Sequence, residues 1–173
     1  IDPIKRVDWV VELLHHLPSR VKVVVAGGAQ DATTRGYYGE LMSRVKTDTK
    51  IIFTGPVTGE LKAQLLSNCA LFLAPSSYEG LPITVLEAMS YRRCCIASDI
   101  AAHREIIKPG DTGILFPSDD KKAFFGSANQ LLTQPESADR IGKAAKQYCR
   151  LHYSWDATSI AYENLFRRMI SAP

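Results

Sequence analysis

The sequence lacks the paired cysteines of a zinc site or a dithiol redox centre. Its four cysteines form no C-x-x-C pair, and they are Cys69, Cys94, Cys95 and Cys149. Two of them belong to the apolar run at residues 94–97, which is typical of a buried strand. We therefore expect free core thiols in a reducing compartment, which favours a cytoplasmic location.

Runs of one charge and long apolar stretches are also missing. The net charge is only +3 over 173 residues, and no cluster of about five or six lysines and arginines occurs. We therefore expect no nucleic-acid partner. No signal peptide and no uninterrupted stretch of about 18 apolar residues is present, so we expect these residues to be soluble without a membrane span.

Two kinds of catalytic centre find no support in the sequence. No HExxH pattern or carboxylate cluster indicates a metal, and no Ser or Cys has an interpretable spacing from a His. We expect a metal-free mechanism without a bound cofactor. His15, His16 and His152 lie at predicted helix ends and are expected on the surface, whereas His103 is near a predicted ligand-binding end.

Strands and helices are predicted to alternate along the whole chain. The predicted strands cover residues 21–26, 51–54, 71–73, 94–97 and 113–116. This alternation predicts a single α/β domain over residues 1–173, with a doubly wound, Rossmann-like parallel sheet and helices on both faces. Ligands of such sheets bind at the carboxyl ends of the strands, where we expect Gly27, Gly55, Ser76 and Asp99.

The stretch from Ala70 to Met89 organises the rest of the chain. It runs from an apolar strand through a polar loop at residues 76–80 into a helix whose first turn is predicted to hold Pro82. Glu79 then lies just before the helix and Glu87 lies inside it. These two carboxylates are close enough along the chain to reach one ligand across the helix N-terminus.

A helix N-terminus presents free N–H groups and the positive end of the helix dipole, and both attract phosphate. Gly80 has no side chain and lets ligand atoms approach the backbone closely. Carboxylates beside such an anion site make sense if the same ligand also carries hydroxyl groups. A nucleotide sugar carries both phosphates and hydroxyls.

The segment EGLPITVLE, residues 79–87, resembles the glutamate, seven residues, glutamate motif of the family-four retaining glycosyltransferases. These are two-lobed enzymes of the GT-B architecture, with two Rossmann-like lobes. Other segments look similar too and occur in the family's order. They are FTGPV at 53–57, ALFLAPS at 70–76, ASDIAAHREII at 97–107 and TGILF at 112–116.

The resemblance implies a role for each residue of the motif. Glu87 would bind the ribose hydroxyls, and Glu79 the hydroxyls of the donor sugar. The backbone N–H groups of Gly80, Leu81 and Ile83 would face the phosphates and the sugar. The segment IDPIKRVDWVVEL looks like the family's first loop and helix, so Lys5 would neutralise the leaving diphosphate. By resemblance, the donor-binding set also includes Ser76, Gly55 and Val57.

The sequence departs from the family pattern near both ends of this site. The family's first strand and an Arg that ends it should precede Ile1, and the usual Gly after the Lys is here Arg6. Many members have Phe-Gly where this chain has Leu81 and Pro82. Pro82 has no N–H and therefore offers one phosphate donor fewer.

The resemblance implies the carboxy-terminal, donor-binding lobe of a retaining glycosyltransferase, with a nucleoside diphosphate sugar as donor. The acceptor, and any peripheral membrane association, would belong to an absent amino-terminal lobe, so the fragment alone is expected to be inactive. The last helix, about residues 154–171, would cross toward that lobe and leave the apolar stripe around Trp155, Tyr162 and Phe166 partly bare. Cell-envelope or capsular polysaccharide synthesis is the expected pathway.

Other hypotheses remain open at this point. The chain would also fit a non-catalytic nucleotide-sugar-binding subunit or a GT-B-like sugar-nucleotide epimerase. A flavodoxin-like signalling domain would need an acidic cluster after an early strand, which the sequence lacks. The turn at Gly27 and Gly28 suggests a dinucleotide fingerprint only weakly, because the GxGxxG pattern is absent. Glu79 and Glu87 could also be ordinary surface residues.

Overall fold

The computed structural model describes residues 1–29 and 31–171. Two 3₁₀ turns, Pro3–Lys5 and Leu14–His16, flank the first helix. The strands are β1 Val23–Ala26, β2 Ile51–Gly55, β3 Leu71–Ala74, β4 Cys94–Ser98 and β5 Ile114–Phe116. The helices are α1 Val7–Leu13, α2 Ala32–Arg44, α3 Gly59–Asn68, α4 Ile83–Ser90, α5 Ala101–Ile106, α6 Lys121–Thr133, α7 Pro135–His152 and α8 Trp155–Ile170.

Every strand pair in the described residues is parallel, which confirms the predicted fold class. Strand β1 pairs with β2, and β4 lies between β3 and β5. The five strands form a two-stranded and a three-stranded sheet, because within the described residues no ladder joins β1 to β3. All the described strand-to-helix loops still leave from the carboxyl ends of parallel strands, where the sequence predicts the ligand site.

Strand β4 shows why helices cover both faces of the three-stranded sheet. All of its residues are buried, and successive side chains of a strand point to opposite faces. Cys94 and Ile96 pack in the core cluster that includes Phe124 of α6. Cys95 and Ala97 pack in a second cluster, formed mainly by α4, α5 and α7. The prediction of a buried strand at 94–97 is therefore confirmed, and both faces of that strand are covered.

A close approach between α7 and the turn after α4 fixes the position of α4. A Cβ atom added to Gly142 of α7 would overlap the carbonyl oxygen of Arg92 and lie 3.0 Å from its carbonyl carbon. Only glycine allows this contact without a shift of the backbone. Helix α4, which carries Glu87, is thus held between the sheet and α7.

The starts of β1 and α2 have local causes. Strand β1 starts at Val23, because the N–H of Val21 donates to the carbonyl of Pro18 in a turn. Helix α2 starts at Ala32, well before its apolar stripe, because Asp31 and Thr34 form a capping box. Thr58 is the N-cap residue of α3, but its hydroxyl makes no capping bond.

The thiols follow the sequence prediction in part. Cys94, Cys95 and Cys149 are buried and free, and Cys69 is free but only half-buried. Burial raises the pKa of the Cys94 thiol to about 11 and that of Cys95 well above its ordinary value. These thiols are therefore inert core residues.

Helix α8 has no buried residue. Its apolar side chains are open to solvent, with Trp155 87% and Ile170 85% exposed and Tyr162 and Phe166 more than half exposed. This confirms the prediction that the apolar stripe is bare in the chain alone. In the part of the chain that the structure describes, no helix is both long and apolar enough to cross a bilayer.

Candidate functional site

The first loop of the chain and the loop after β3 lie against each other. The turn Pro3–Lys5 is capped by Asp2, whose Oδ1 accepts from the N–H of Ile4 at 2.9 Å. The carbonyl of Ile4 then accepts from the backbone N–H of Ser77 at 2.7 Å. This contact joins residues far apart in the sequence and brings Lys5 to the carboxyl end of β3.

The carboxylate of Glu79 is the centre of this contact. The Lys5 ammonium nitrogen, Nζ, lies 2.8 Å from both carboxylate oxygens. The hydroxyl of Ser76 donates to Oε1 of Glu79 at 2.7 Å. The Glu79 side chain is only 12% exposed, while that of Lys5 is 43% exposed. The structure thus brings three predicted site residues together in one hydrogen-bonded group with an accessible ammonium.

Arg6, which departs from the family's glycine, shows why glycine is usual there. Its backbone is left-handed, with φ 49° and ψ 45°, a conformation that costs a non-glycine residue about 1 kcal/mol or more. The guanidinium donates to the carbonyl of Ser118 and, at 2.8 Å, to the carboxylate of Asp119, and it lies over the ring of Trp9. These contacts offset the strain and tie the Lys5 turn to the loop after β5.

Helix α4 begins one residue later than predicted. Pro82 is its N-cap rather than its first residue, because ψ of 69° is not helical, while its carbonyl accepts from the N–H groups of Val85 and Leu86. The N–H of Ile83 donates to the carbonyl of Leu81 at 2.8 Å, so Ile83 presents no free N–H here. Within the described residues, the N–H groups of Gly80 and Leu81 have no hydrogen-bond partner and remain available to a ligand.

Glu87 lies on α4 as predicted, and its partner is Lys62, which the sequence analysis missed. The Lys62 ammonium of α3 donates to Oε1 of Glu87 at 2.6 Å, and both side chains are partly exposed. The pair spans two helices, so no spacing along the chain could reveal it. Lys62 donates to Oε1, and within residues 1–29 and 31–171 no hydrogen bond reaches Oε2 of Glu87, which can therefore accept from a ligand.

The remaining predicted donor-binding residues lie at the carboxyl end of β2, in the other sheet: Gly55 is its last residue and Val57 follows it. Gly55 has φ of +70°, and its carbonyl accepts from the N–H of Gly27 at 2.8 Å. A Cβ atom added to Gly55 would meet nothing within 4 Å. Val57 is half-buried. Across residues 1–29 and 31–171, no hydrogen bond joins either residue to Glu79 or Glu87.

Two residues of the segment after β4 have separate environments. The carboxylate of Asp99 is paired with the guanidinium of Arg104, which donates to it at 2.5 and 2.8 Å and lowers the pKa of Asp99. His103 is fully buried, and desolvation lowers its pKa. His103 lies at the carboxyl end of β4, because its Nδ1 is 3.3 Å from the hydroxyl of Ser98; its proximity to a ligand stays a prediction. The three other histidines are exposed, as predicted.

The site therefore presents two carboxylates, two ammonium groups and the unpaired backbone N–H groups of Gly80 and Leu81 around the start of α4. Positive groups suit phosphate oxygens, and carboxylates suit hydroxyl donors. In the part of the chain that the structure describes, no group of three or more His, Cys, Asp or Glu side chains is placed to hold a metal ion.

The amino-acid sequence of this chain matches a known protein family. The sequence model of the family "Glycosyl transferases group 1" matches residues 1–148. Alpha-maltose-1-phosphate synthase from Mycobacterium tuberculosis is 30% identical over 176 aligned residues, which cover 95% of this chain and 45% of that enzyme. The chain thus spans about half the length of this curated relative.

Solved structures share the fold at low sequence identity. HepE from Anabaena, solved with UDP and glucose, has a TM-score of 0.86 and 19% identity, covering 96% of this chain and 46% of that one. The C-terminal domain of the glycosyl transferase group 1 family protein LpcC from Francisella tularensis has a TM-score of 0.78 and 21% identity, covering 90% and 83%. By its family match and its relatives, this chain belongs to the group 1 glycosyl transferases.

Proposed function

We propose that this chain is the donor-binding, carboxy-terminal half of a retaining glycosyltransferase. The full enzyme would transfer a sugar from a nucleoside diphosphate sugar to an acceptor. The observation that carries this proposal is the pair Glu79 and Glu87 on either side of the α4 N-terminus, with free N–H groups at Gly80 and Leu81 between them. The UDP in HepE and the separate C-terminal domain of LpcC support it.

In the proposed complex, each part of the donor has a matching group. The ribose hydroxyls donate to the free Oε2 of Glu87, and the diphosphate accepts from the N–H groups of Gly80 and Leu81. The Lys5 ammonium turns from Glu79 toward the departing diphosphate. The sugar hydroxyls then donate to Glu79, which Ser76 holds in place.

The proposed catalysis is electrostatic and metal-independent. A glycosyl transfer of this kind develops negative charge on the leaving diphosphate and positive charge on the sugar ring. Once the donor is bound and Lys5 has turned to the diphosphate, charges that face those positions lower the barrier, since they need no further reorganisation during the reaction. The exposed Lys5 ammonium and the mostly buried Glu79 carboxylate, 2.8 Å apart, supply one charge of each sign.

Two observations support a second lobe in the full polypeptide. The bare stripe of α8 offers a large apolar surface, and such surfaces usually bind a partner. Strands β1 and β3 each have an edge free of ladder bonds within the described residues. Free strand edges of this kind can pair with a further strand of the full polypeptide.

The remaining roles are proposals of the same kind. Cell-envelope or capsular polysaccharide synthesis, a cytoplasmic location and membrane association through the amino-terminal lobe stay predictions from the resemblance. A non-catalytic subunit would bind the donor but transfer nothing when the full polypeptide is assayed. An epimerase would convert the donor without an acceptor. The anomeric configuration of the product, read by NMR, tests the retaining assignment.

Titration calorimetry with UDP, GDP and ADP tests donor binding by this chain. We expect Glu87→Gln to weaken binding of the preferred nucleotide by about tenfold to a hundredfold, since hydrogen bonds to a charged acceptor contribute about 1.5 to 3 kcal/mol. Glu163→Gln is the control, because Glu163 is exposed on α8 and its salt-bridge partner among the described residues is Arg167 of its own helix. Equal affinities for wild type and Glu87→Gln would exclude the role of Glu87.

A further inference from the structure

The buried imidazole of His103 has two unequal ring nitrogens. Nδ1 lies 2.8 Å from the backbone carbonyl of Ser98, and Nε2 is buried with no hydrogen-bond partner in the described residues. A carbonyl oxygen can only accept, so Nδ1 carries the proton. Nε2 is then unprotonated, because an N–H there would be buried without an acceptor. The lowered pKa of His103 agrees with a neutral ring.

From His103, a chain of hydrogen bonds leads to the candidate active site. Nδ1 of His103 donates to the backbone carbonyl of Ser98 and lies 3.3 Å from the Ser98 hydroxyl. That hydroxyl donates to the carbonyl of Ser76. The hydroxyl of Ser76 donates in turn to Oε1 of Glu79 at 2.7 Å. His103, Ser98 and Ser76 are all buried, so water does not compete for these bonds.

We propose that His103 is a positioning residue for Glu79, acting through Ser98 and Ser76. The inference rests on the proposed function, in which Glu79 binds the donor sugar. His103 touches neither donor nor acceptor in this proposal. It fixes the end of β4, which fixes the end of β3 and so the direction in which the 76–79 loop presents its carboxylate.

The choice of histidine at this position supports the proposal. An apolar side chain would fill the same volume without burying a nitrogen that lacks a partner, and such burial costs free energy. What His103 supplies in return is the Nδ1–H bond to Ser98. Asparagine places an N–H at almost the same distance from the backbone, whereas leucine fills the volume without any donor.

The first experiment measures binding of UDP and UDP-glucose to the 173-residue chain and its variants by calorimetry. We expect His103→Leu and Ser98→Ala to lower the UDP-glucose to UDP affinity ratio by about fivefold to tenfold, as Glu79→Gln does. Binding of UDP alone should change less than this ratio, because Glu87, which binds the ribose in the proposed function, is not in the chain of bonds. His103→Asn restores the ratio, whereas a general packing defect would not distinguish asparagine from leucine in this way.

The second experiment reads positions directly and needs no ligand. We expect crystal structures of His103→Leu and Ser98→Ala to show the Glu79 carboxylate displaced from Ser76. We expect ¹⁵N NMR of the wild type to show the proton on Nδ1 of His103. Ser98→Ala removes a single oxygen and keeps the test valid if the leucine variant does not fold. The wild-type geometry of Glu79 in both variants overturns the proposal, as does an unchanged affinity ratio where Glu79→Gln lowers it. If the wild type binds neither UDP nor UDP-glucose, the donor assignment fails for these probes, and the crystal structures still decide the positioning role.

Discussion

The ion pair between Lys5 and Glu79 makes a quantitative prediction about stability. We expect Glu79→Gln to lower the free energy of unfolding by about 1 to 2 kcal/mol, because the mostly buried carboxylate loses charge-assisted bonds. Lys5→Met should cost less, since the ammonium is 43% exposed and its attraction is weakened by water. We expect the double variant to be less destabilised than the sum of the two, with a coupling energy of about 1 kcal/mol.

Urea unfolding of the four proteins measures this coupling directly. The control is the exposed pair on α8, in which the side chain of Arg167 is 74% and that of Glu163 60% exposed. The coupling energy of this pair should be about 0.3 to 0.5 kcal/mol. We also expect the Lys5–Glu79 coupling to fall in saturating UDP, because the proposed mechanism turns Lys5 toward the diphosphate. Additive single effects, within about 0.3 kcal/mol, would show that the pair does not form in solution.

Three further predictions concern the packing and chemistry of the core. Gly142→Ala should lower the free energy of unfolding by about 1 to 3 kcal/mol, because the new Cβ overlaps the carbonyl of Arg92. Gly126→Ala on α6 is the control. It should raise the free energy of unfolding by up to about 1 kcal/mol, because a Cβ atom added there meets no atom within 4 Å. Equal urea midpoints for the two variants would contradict the close packing at Gly142. The pKa of His103 is lower in the folded state than in the unfolded state, so as the pH falls the unfolded state binds a proton at this residue before the folded state does. The contribution of His103 to stability is therefore complete above the ordinary pKa of 6.5 and is lost as the pH falls below that value. Urea midpoints against pH check this, and a His103→Asn variant with the same slope between pH 7 and 5 would rule it out. Iodoacetamide at pH 8 should leave Cys95 unmodified until the protein unfolds, because its thiol is buried and its pKa is raised; mass spectrometry showing rapid native labelling would disprove the buried position.

The parts of the fold that follow local rules could be predicted from the sequence. The apolar run at 94–97 predicted β4, and the helical spacing of Ile83, Leu86 and Met89 predicted α4. Strand β4 buries its whole apolar run. In α4 the spacing indicates a helix, but Met89 is buried, Leu86 is half-buried and Ile83 is 58% exposed. The break between β1 and β3 could not be predicted in this way, because strand pairing depends on contacts between distant segments.

The candidate site was predictable only in part, for the same reason. The motif located Glu79 and Glu87, and the first block located Lys5, but the partner Lys62 came from another helix. The hydrogen bond from Ile83 to Leu81 depends on the local ψ angle of Pro82, which residue type alone does not fix. The left-handed backbone at Arg6 was likewise hidden, because its compensating contacts come from residues 118 and 119.

The most direct test of the account is a crystal structure of this chain with UDP-glucose. We expect the ribose hydroxyls within about 3 Å of the Glu87 carboxylate and the diphosphate within hydrogen-bond distance of the Gly80 and Leu81 N–H groups. The Lys5 ammonium should then face the diphosphate, and the glucose hydroxyls should contact Glu79. UDP-glucose bound elsewhere, with the Lys5–Glu79 and Lys62–Glu87 pairs unchanged, would contradict the proposed donor site.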